Sequence, residues 1–230
     1  MDESLIVSSL ARCPLFKHAN EPTLRSVAGG LRRRRFRRNE VIFHQADPGD
    51  SLHIVAAGAV KIVLPSAEGE EAIIATLWEG DFFGELSLLD GAPRSATATA
   101  LEPTETFVLS RETFLDLVDR DSALRAALLT GLARELRRLT GQVEELHFLD
   151  LAGRLASRLS RLARDSAPEA HGEVVLDWPF TQSDLAAMIG GTRQSVNRLL
   201  SSLVDEGLVV VDRETLVITD LPALEKRAER

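Results

Sequence analysis

Phe83-Gly84-Glu85-Leu86-Ser87-Leu88-Leu89-Asp90-Gly91-Ala92-Pro93-Arg94-Ser95-Ala96 couples a glycine turn, a carboxylate, a short apolar helical turn and an arginine followed by a hydroxyl. Those groups can hold a phosphate and a sugar together. Arg94 offers a planar fork of donors to phosphate oxygens. Ser95 and nearby backbone N–H groups add neutral donors, and the start of a short helix favours an anion. Glu85 can accept a hydrogen bond from a ribose hydroxyl. The same residues also fit an ordinary turn in which Glu85 and Arg94 pair with each other, so the surrounding chain has to decide.

Around this stretch, residues 41–110 read as short strands. Val41–Phe43, Leu52–Ala56, Ala59–Leu64, Ala72–Leu77, Ala96–Leu101 and Thr106–Leu109 are rich in Val, Ile and Thr and are separated by glycine turns at steady intervals. That pattern predicts an antiparallel sandwich or barrel with one helical insertion, at Leu86–Leu89. Residues 4–28 read as short helices broken by Pro14 and Pro22. Between them lies Leu31-Arg32-Arg33-Arg34-Arg35-Phe36-Arg37-Arg38. Such a run can bind nucleic acid. Its place just before a β-region favours a strand or loop with exposed arginines around Phe36.

Arg111–Val118 resumes helical spacing, and Ser122–Leu149 reads as one long helix without proline. On it Leu129, Leu132, Leu136, Leu139, Val143 and Leu146 are spaced 3, 4, 3, 4, 3. A seam this narrow, flanked by Arg134, Glu135, Arg137, Arg138, Glu144 and Glu145, predicts a parallel homodimer rather than a helix lying on its own domain, which would carry a wider apolar face. Beyond it Asp150 is placed to cap a helix over Leu151–Leu162, a loop follows at Asp165–Gly172, and Val174–Leu176 makes a short strand.

Thr181-Gln182-Ser183-Asp184 opens a helix with a capping-box pattern, and Gly190 ends it in a tight turn. Thr192 caps a second helix, and Leu185, Ala186, Ile189, Val196 and Leu200 supply a shared core. This is helix-turn-helix spacing with the second helix as reader. Thr181, Gln182, Thr192, Arg193, Gln194, Ser195, Asn197 and Arg198 are the candidate DNA-contacting residues. Arginine takes guanine bidentately, and Gln or Asn takes adenine. Gly207–Val211 and Leu216–Thr219 flank Asp212-Arg213-Glu214 as a β-hairpin wing.

Composition bounds the reading. With 44% hydrophobic and 27% charged residues, the 230-residue chain is that of a soluble globular protein large enough for two cores. Cys13, the single cysteine, rules out an internal disulfide, a zinc ribbon and a cysteine-held iron–sulfur cluster within one chain. The acidic start, Met1-Asp2-Glu3-Ser4, lacks the basic flank of a signal peptide, and no apolar run spans a bilayer, so the cytoplasm and no membrane partner are expected. His18, His44, His53, His147 and His171 are scattered without ligand spacing, and no nucleophile–base–acid set is visible, so neither a metal site nor an enzyme is expected. The net charge of −8 means that any DNA-binding face must be locally basic.

With these parts in order, the chain resembles the cyclic-AMP receptor protein (CRP/FNR) superfamily of bacterial transcription regulators over nearly its whole length. Gly84, Glu85, Leu86, Arg94, Ser95 and Ala96 match that family's phosphate-binding cassette. Phe148-Leu149-Asp150 with Gly153-Arg154 matches its hinge, and Arg193-Gln194-Ser195-Val196-Asn197-Arg198 its reader helix. The resemblance implies an α+β chain in three parts: an antiparallel, jelly-roll-like β-roll that binds a cyclic nucleotide (1–121), a dimerisation helix (122–149) and a winged helix-turn-helix (150–230). It implies an effector site at Phe83, Gly84, Glu85, Leu86, Ser87, Arg94, Ser95 and Ala96, completed by Leu139 and Thr140. Cyclic AMP is the expected effector, with no other cofactor. Double-stranded DNA, a second copy of the chain and RNA polymerase are the expected partners. Two positions depart from the family pattern. Leu139 stands where cyclic-AMP members carry a threonine against the adenine, with Thr140 beside it, and Gln194 replaces a glutamate that accepts from cytosine. An effector other than cyclic AMP, or none, is the alternative on the same scaffold.

Overall fold

The computed structural model describes residues 3–212 and 215–228. Helices α1 (Glu3–Arg12) and α2 (Glu21–Gly30) come first, joined through a 3-10 turn at Pro14–Phe16. Asn20 caps α2 by accepting from the Thr23 N–H at 3.0 Å. The strands follow: β1 (Arg32–Phe36), β2 (Val41–Phe43), β3 (Ser51–Ala57), β4 (Val60–Pro65), β5 (Glu71–Leu77) and β6 (Phe82–Phe83). After the short helix α3 (Glu85–Asp90) come β7 (Thr97–Ala100) and β8 (Thr104–Ser110).

They pair antiparallel in two four-stranded sheets, β1-β8-β3-β6 and β2-β7-β4-β5. Phe36, Val55 and Phe83 from the first sheet meet Ile42, Val60, Ala98 and Ala100 from the second in a core between them. The opposite face of the first sheet, carrying Leu52, Ile54 and Leu109, is covered by Leu10, Phe16, Leu24 and Val27 from the N-terminal segment. Phe114 of α4 (Arg111–Arg120) and Leu124 and Leu128 of α5 (Ser122–Phe148) complete that layer. The arginine run forms edge strand β1: Arg32–Arg35 are exposed, Phe36 is buried, and Arg33 and Arg35 both pair with Glu105 of β8.

Contacts divide the chain into two compact units, Met1–Arg138 and Leu139–Arg230. The division falls inside α5. The cause is physical: the first turns of α5 are part of the N-terminal core, and its last turn is tied to the next helix. The seam residues differ in exposure for the same reason. Leu129, Leu136, Val143 and Leu146 are exposed, but Leu132 packs partly onto the core of its own unit.

The second unit contains α6 (Leu151–Ser166), β9 (Val174–Asp177), α7 (Gln182–Ile189), α8 (Arg193–Asp205), β10 (Val209–Val211), β11 (Thr215–Ile218) and α9 (Leu221–Ala228). Asp150 caps α6 through the Gly153 N–H at 2.7 Å, and the helix runs four residues past the expected Leu162. The wing is a three-stranded sheet, β10-β11-β9, because the strand at 174–177 joins the hairpin. Arg213 and Glu214 of the expected wing turn lie outside the described residues. Helix α9 was not expected. It buries Leu221, Leu224 and Ala228, and its Glu225 pairs with Arg164 of α6 at 2.8 Å.

Candidate functional sites

The cassette is built around Arg94, whose residue is only 4% exposed. Its Nη1 donates to the Gly84 carbonyl at 2.7 Å. Its Nη2 donates to the Ser51 carbonyl at 2.8 Å and to Ser51 Oγ at 3.2 Å. The guanidinium stacks over the Phe43 ring, 4.2 Å from its centroid. Nε is buried with no hydrogen-bond partner. Burial works against the charge, while the Asp50, Glu85 and Asp47 carboxylates favour it electrostatically. No ion pair with Glu85 forms, so the alternative of a turn closed by that pair is not what the chain adopts. The arrangement is a preorganised cation with donor capacity left unused, Nε included, the condition an anion satisfies.

The backbone explains the residue choice. Gly84 has φ +87°, a left-handed conformation that side chains disfavour, and a Cβ there would stand 2.5 Å from Arg94 Nη1. The 44–47 loop clasps the Arg94 backbone: Arg94 N donates to the Asp47 carbonyl and Ala46 N to the Arg94 carbonyl, both at 2.9 Å. Ala46 is held at φ +69° in that clasp, local strain of the kind that accompanies binding sites.

The other expected effector residues separate into two groups. Glu85 is half-buried, and Leu86 and Ser95 are exposed. Burial holds the Glu85 carboxyl above the usual range; Glu135 of α5 adds to the shift and Arg94 opposes it. Phe83, Ser87 and Ala96 are buried. Ser87 packs against the loop at Gly49, where an added Cβ would stand 2.1 Å from the serine Cβ. Its side chain therefore locks α3 to that loop. Leu139, half-buried, and Thr140, exposed, belong to the second compact unit.

Three supports were not anticipated. Ser51 anchors Arg94 from 43 residues away. His53 is buried, stacks on Phe83 with centroids 5.1 Å apart, and lies 3.2 Å through Nδ1 from Thr106 Oγ1. Burial first, then the Arg94 and Arg34 charges, push its pKa down to about 3, so the ring is neutral. On α5, Arg138 pairs with Glu135 and donates to the Ile74 carbonyl of β5, fixing this part of the helix beside the second sheet.

The reader pair is equally local in origin. Thr181 Oγ1 accepts from Asp184 N at 3.1 Å, and Asp184 Oδ2 accepts from Thr181 N at 2.9 Å, the reciprocal capping box. Gly190 ends α7 at φ +69°. Thr192 Oγ1 accepts from Ser195 N at 3.1 Å to start α8. The Thr181, Thr192 and Ser195 hydroxyls thus shape helix ends. Val196, Leu200 and Leu203 bury one face of α8, and Arg193, Gln194, Asn197 and Arg198 are exposed on the other side. Gln182 is half-buried, and its Oε1 meets Arg193 Nε at 3.5 Å, linking the two helices at the reading surface.

Comparison with known proteins fits both sites. The cyclic nucleotide-binding domain family matches residues 33–121, and the Crp-like helix-turn-helix family matches residues 153–227. The cyclic AMP receptor protein of Thermus thermophilus is 33% identical over 215 residues, 94% of this chain and 96% of that one. The chain belongs to the CRP/FNR family of transcription regulators. A CRP-like cAMP-activated global transcriptional regulator of Mycobacterium tuberculosis is 29% identical, over 95% of this chain and 98% of its own. The structure of FixK2 from Bradyrhizobium japonicum superposes with a TM-score of 0.77, covering 85% of this chain and 96% of that one at 23% identity, and so shares the fold. CRP/FNR proteins are regulators, not enzymes. The described residues contain no helix long and apolar enough to cross a membrane.

Proposed function

We propose that this CRP/FNR regulator is a homodimer gated by cyclic AMP and that it binds a pseudo-palindromic operator. The observation that carries the effector half is Arg94: a buried guanidinium, anchored on Gly84 and Ser51, with Nε left unsatisfied. A cyclic phosphate supplies that acceptor, Ser95 adds a donor at the exposed edge, and Glu85 takes the ribose 2′-OH. Leu139 and Thr140 are the positions that the family resemblance assigns to the base. The names of the Thermus and Mycobacterium relatives support cyclic AMP. Binding shifts the population toward the DNA-binding arrangement.

The exposed Leu129, Leu136, Val143 and Leu146 support the dimer, together with half-buried Leu139. Two readers on one helix pair meet half-sites about one DNA turn apart. Thr181, Gln182, Thr192, Arg193, Gln194, Ser195, Asn197 and Arg198 form the contact surface, with the exposed groups on α8 reading bases. RNA polymerase is the partner through which such a dimer acts, in the cytoplasm. Leu139 favours a second reading in which another nucleotide is the effector, since its side chain cannot bond an adenine amino group. Calorimetric titration with cyclic AMP tests the proposal: micromolar binding, about 8 kcal/mol, is expected. Heat only with a different nucleotide would favour the second reading.

A further inference from the structure

Helix α6 carries Arg154, Arg158 and Arg161 at i, i+4 and i+7, one stripe along its surface. The first two face the reader pair. Arg154 Nη1 donates to the Ile189 carbonyl at 2.9 Å, at the end of α7, and Arg158 Nε approaches Met188 Sδ at 3.3 Å. Arg161 reaches instead to the last turn of α5, where its guanidinium pairs with Glu145. Ser157 Oγ donates to the other Glu145 oxygen at 2.6 Å. Both carboxylate oxygens are therefore engaged by α6, across the turn at Leu149-Asp150.

The apolar side chains of that turn of α5 point to solvent. Leu146 and His147 are exposed, and Phe148 is 81% exposed. On the far side, α6 is built firmly into its unit: a Cβ at Gly153 would stand 3.1 Å from the Ala228 carbonyl of α9. Beyond the backbone and the Asp150 cap of the turn itself, a half-buried ion pair and a hydroxyl tie the Glu145 side chain of α5 to α6 and so constrain the angle between the helices. Removing one partner leaves the other charge partly desolvated and uncompensated.

We infer that Glu145, held by Arg161 and Ser157, is a positioning residue for DNA binding: it fixes the α5–α6 angle and, in the dimer, the spacing at which two half-sites are accepted. This rests on the homodimer–operator reading above. Reader and hinge are joined through Arg154 and Arg158, so a change at Glu145 moves each reader as a body without altering the side chains that read bases.

The test is a set of palindromic operators that differ by single base pairs between half-sites, about 3.4 Å per step. They are bound by full-length wild type, Glu145→Gln, Ser157→Ala and Arg161→Met, with a single half-site as the control for folding and base reading. Wild type is expected to prefer one spacing by at least about tenfold, or ~1.4 kcal/mol. Glu145→Gln and Arg161→Met are expected to flatten that preference to about threefold with half-site affinity unchanged, Ser157→Ala to act in the same direction but less, and the reversed pair E145R/R161E to recover part of it. Unchanged spacing profiles in the single variants, or a reversed pair no better than either single, would overturn the inference. A wild type indifferent to spacing would overturn the dimer reading itself.

Discussion

The guanidinium of Arg94 occupies the space that a side chain at residue 84 would need: Nη1 donates to the Gly84 carbonyl at 2.7 Å and would lie 2.5 Å from a Cβ there. Gly84→Ala therefore combines a left-handed backbone with displacement of the arginine. It is expected to cost about 1–3 kcal/mol of stability and to weaken cyclic-AMP binding more than that strain alone. Arg94→Lys keeps the charge but loses the fork, so affinity is expected to fall by tenfold or more, roughly 1.5–3 kcal/mol, with stability less affected. Thermal denaturation and calorimetry on both variants separate the two effects.

His53 makes stability depend on acid. Its pKa is about 3 in the fold against 6.5 for the free side chain, so between those values the unfolded chain holds more protons. Stability from this group is complete above pH 6.5 and is lost as pH falls toward 3, by up to ~1.4 kcal/mol per unit. Denaturant unfolding from pH 7.5 to 5 is expected to show that slope in wild type and a flatter one in His53→Gln. Parallel slopes would place the acid sensitivity elsewhere.

The seam residues divide by burial. Leu136→Ala and Val143→Ala are expected to weaken self-association by roughly 2 kcal/mol or more, since symmetry removes each side chain twice, and to leave the monomer's unfolding little changed. Leu132→Ala is expected to destabilise the N-terminal unit instead, because Leu132 packs partly on that core. Sedimentation and denaturation of the three variants read these outcomes separately.

Base reading is expected to follow Gln194. Glutamine favours adenine and glutamate accepts from cytosine, so Gln194→Glu should change preference at one position of each half-site by about 1–3 kcal/mol. Binding to half-sites substituted at each base checks this. A uniform loss across all substitutions would mean that Gln194 contacts backbone or nothing.

Much of this was legible before the structure because the signals are local. Thr181, Gly190, Thr192 and Asp150 mark helix ends within three residues of the groups they bond, and Gly84 and Arg94 sit in one short stretch. Less legible were features made by distant partners. Ser51 lies 43 residues from Arg94, and Ser87 packs against Gly49 from a separate segment. Strand β6 has two residues, too few for periodicity. Helix α9 is short, with Pro222 in its first turn, and is held by burial of Leu221 and Leu224 rather than by propensity. The seam periodicity carries no sign that Leu132 packs partly on its own unit's core.

The most direct test of cyclic-AMP gating is selection of operators from a randomised palindrome library by the full-length protein at fixed salt, with and without cyclic AMP. A gated dimer predicts enrichment of a two-fold-related site with half-sites about one turn apart, bound at least tenfold tighter with the nucleotide. Recovery of the same site with equal affinity in both arms would contradict it.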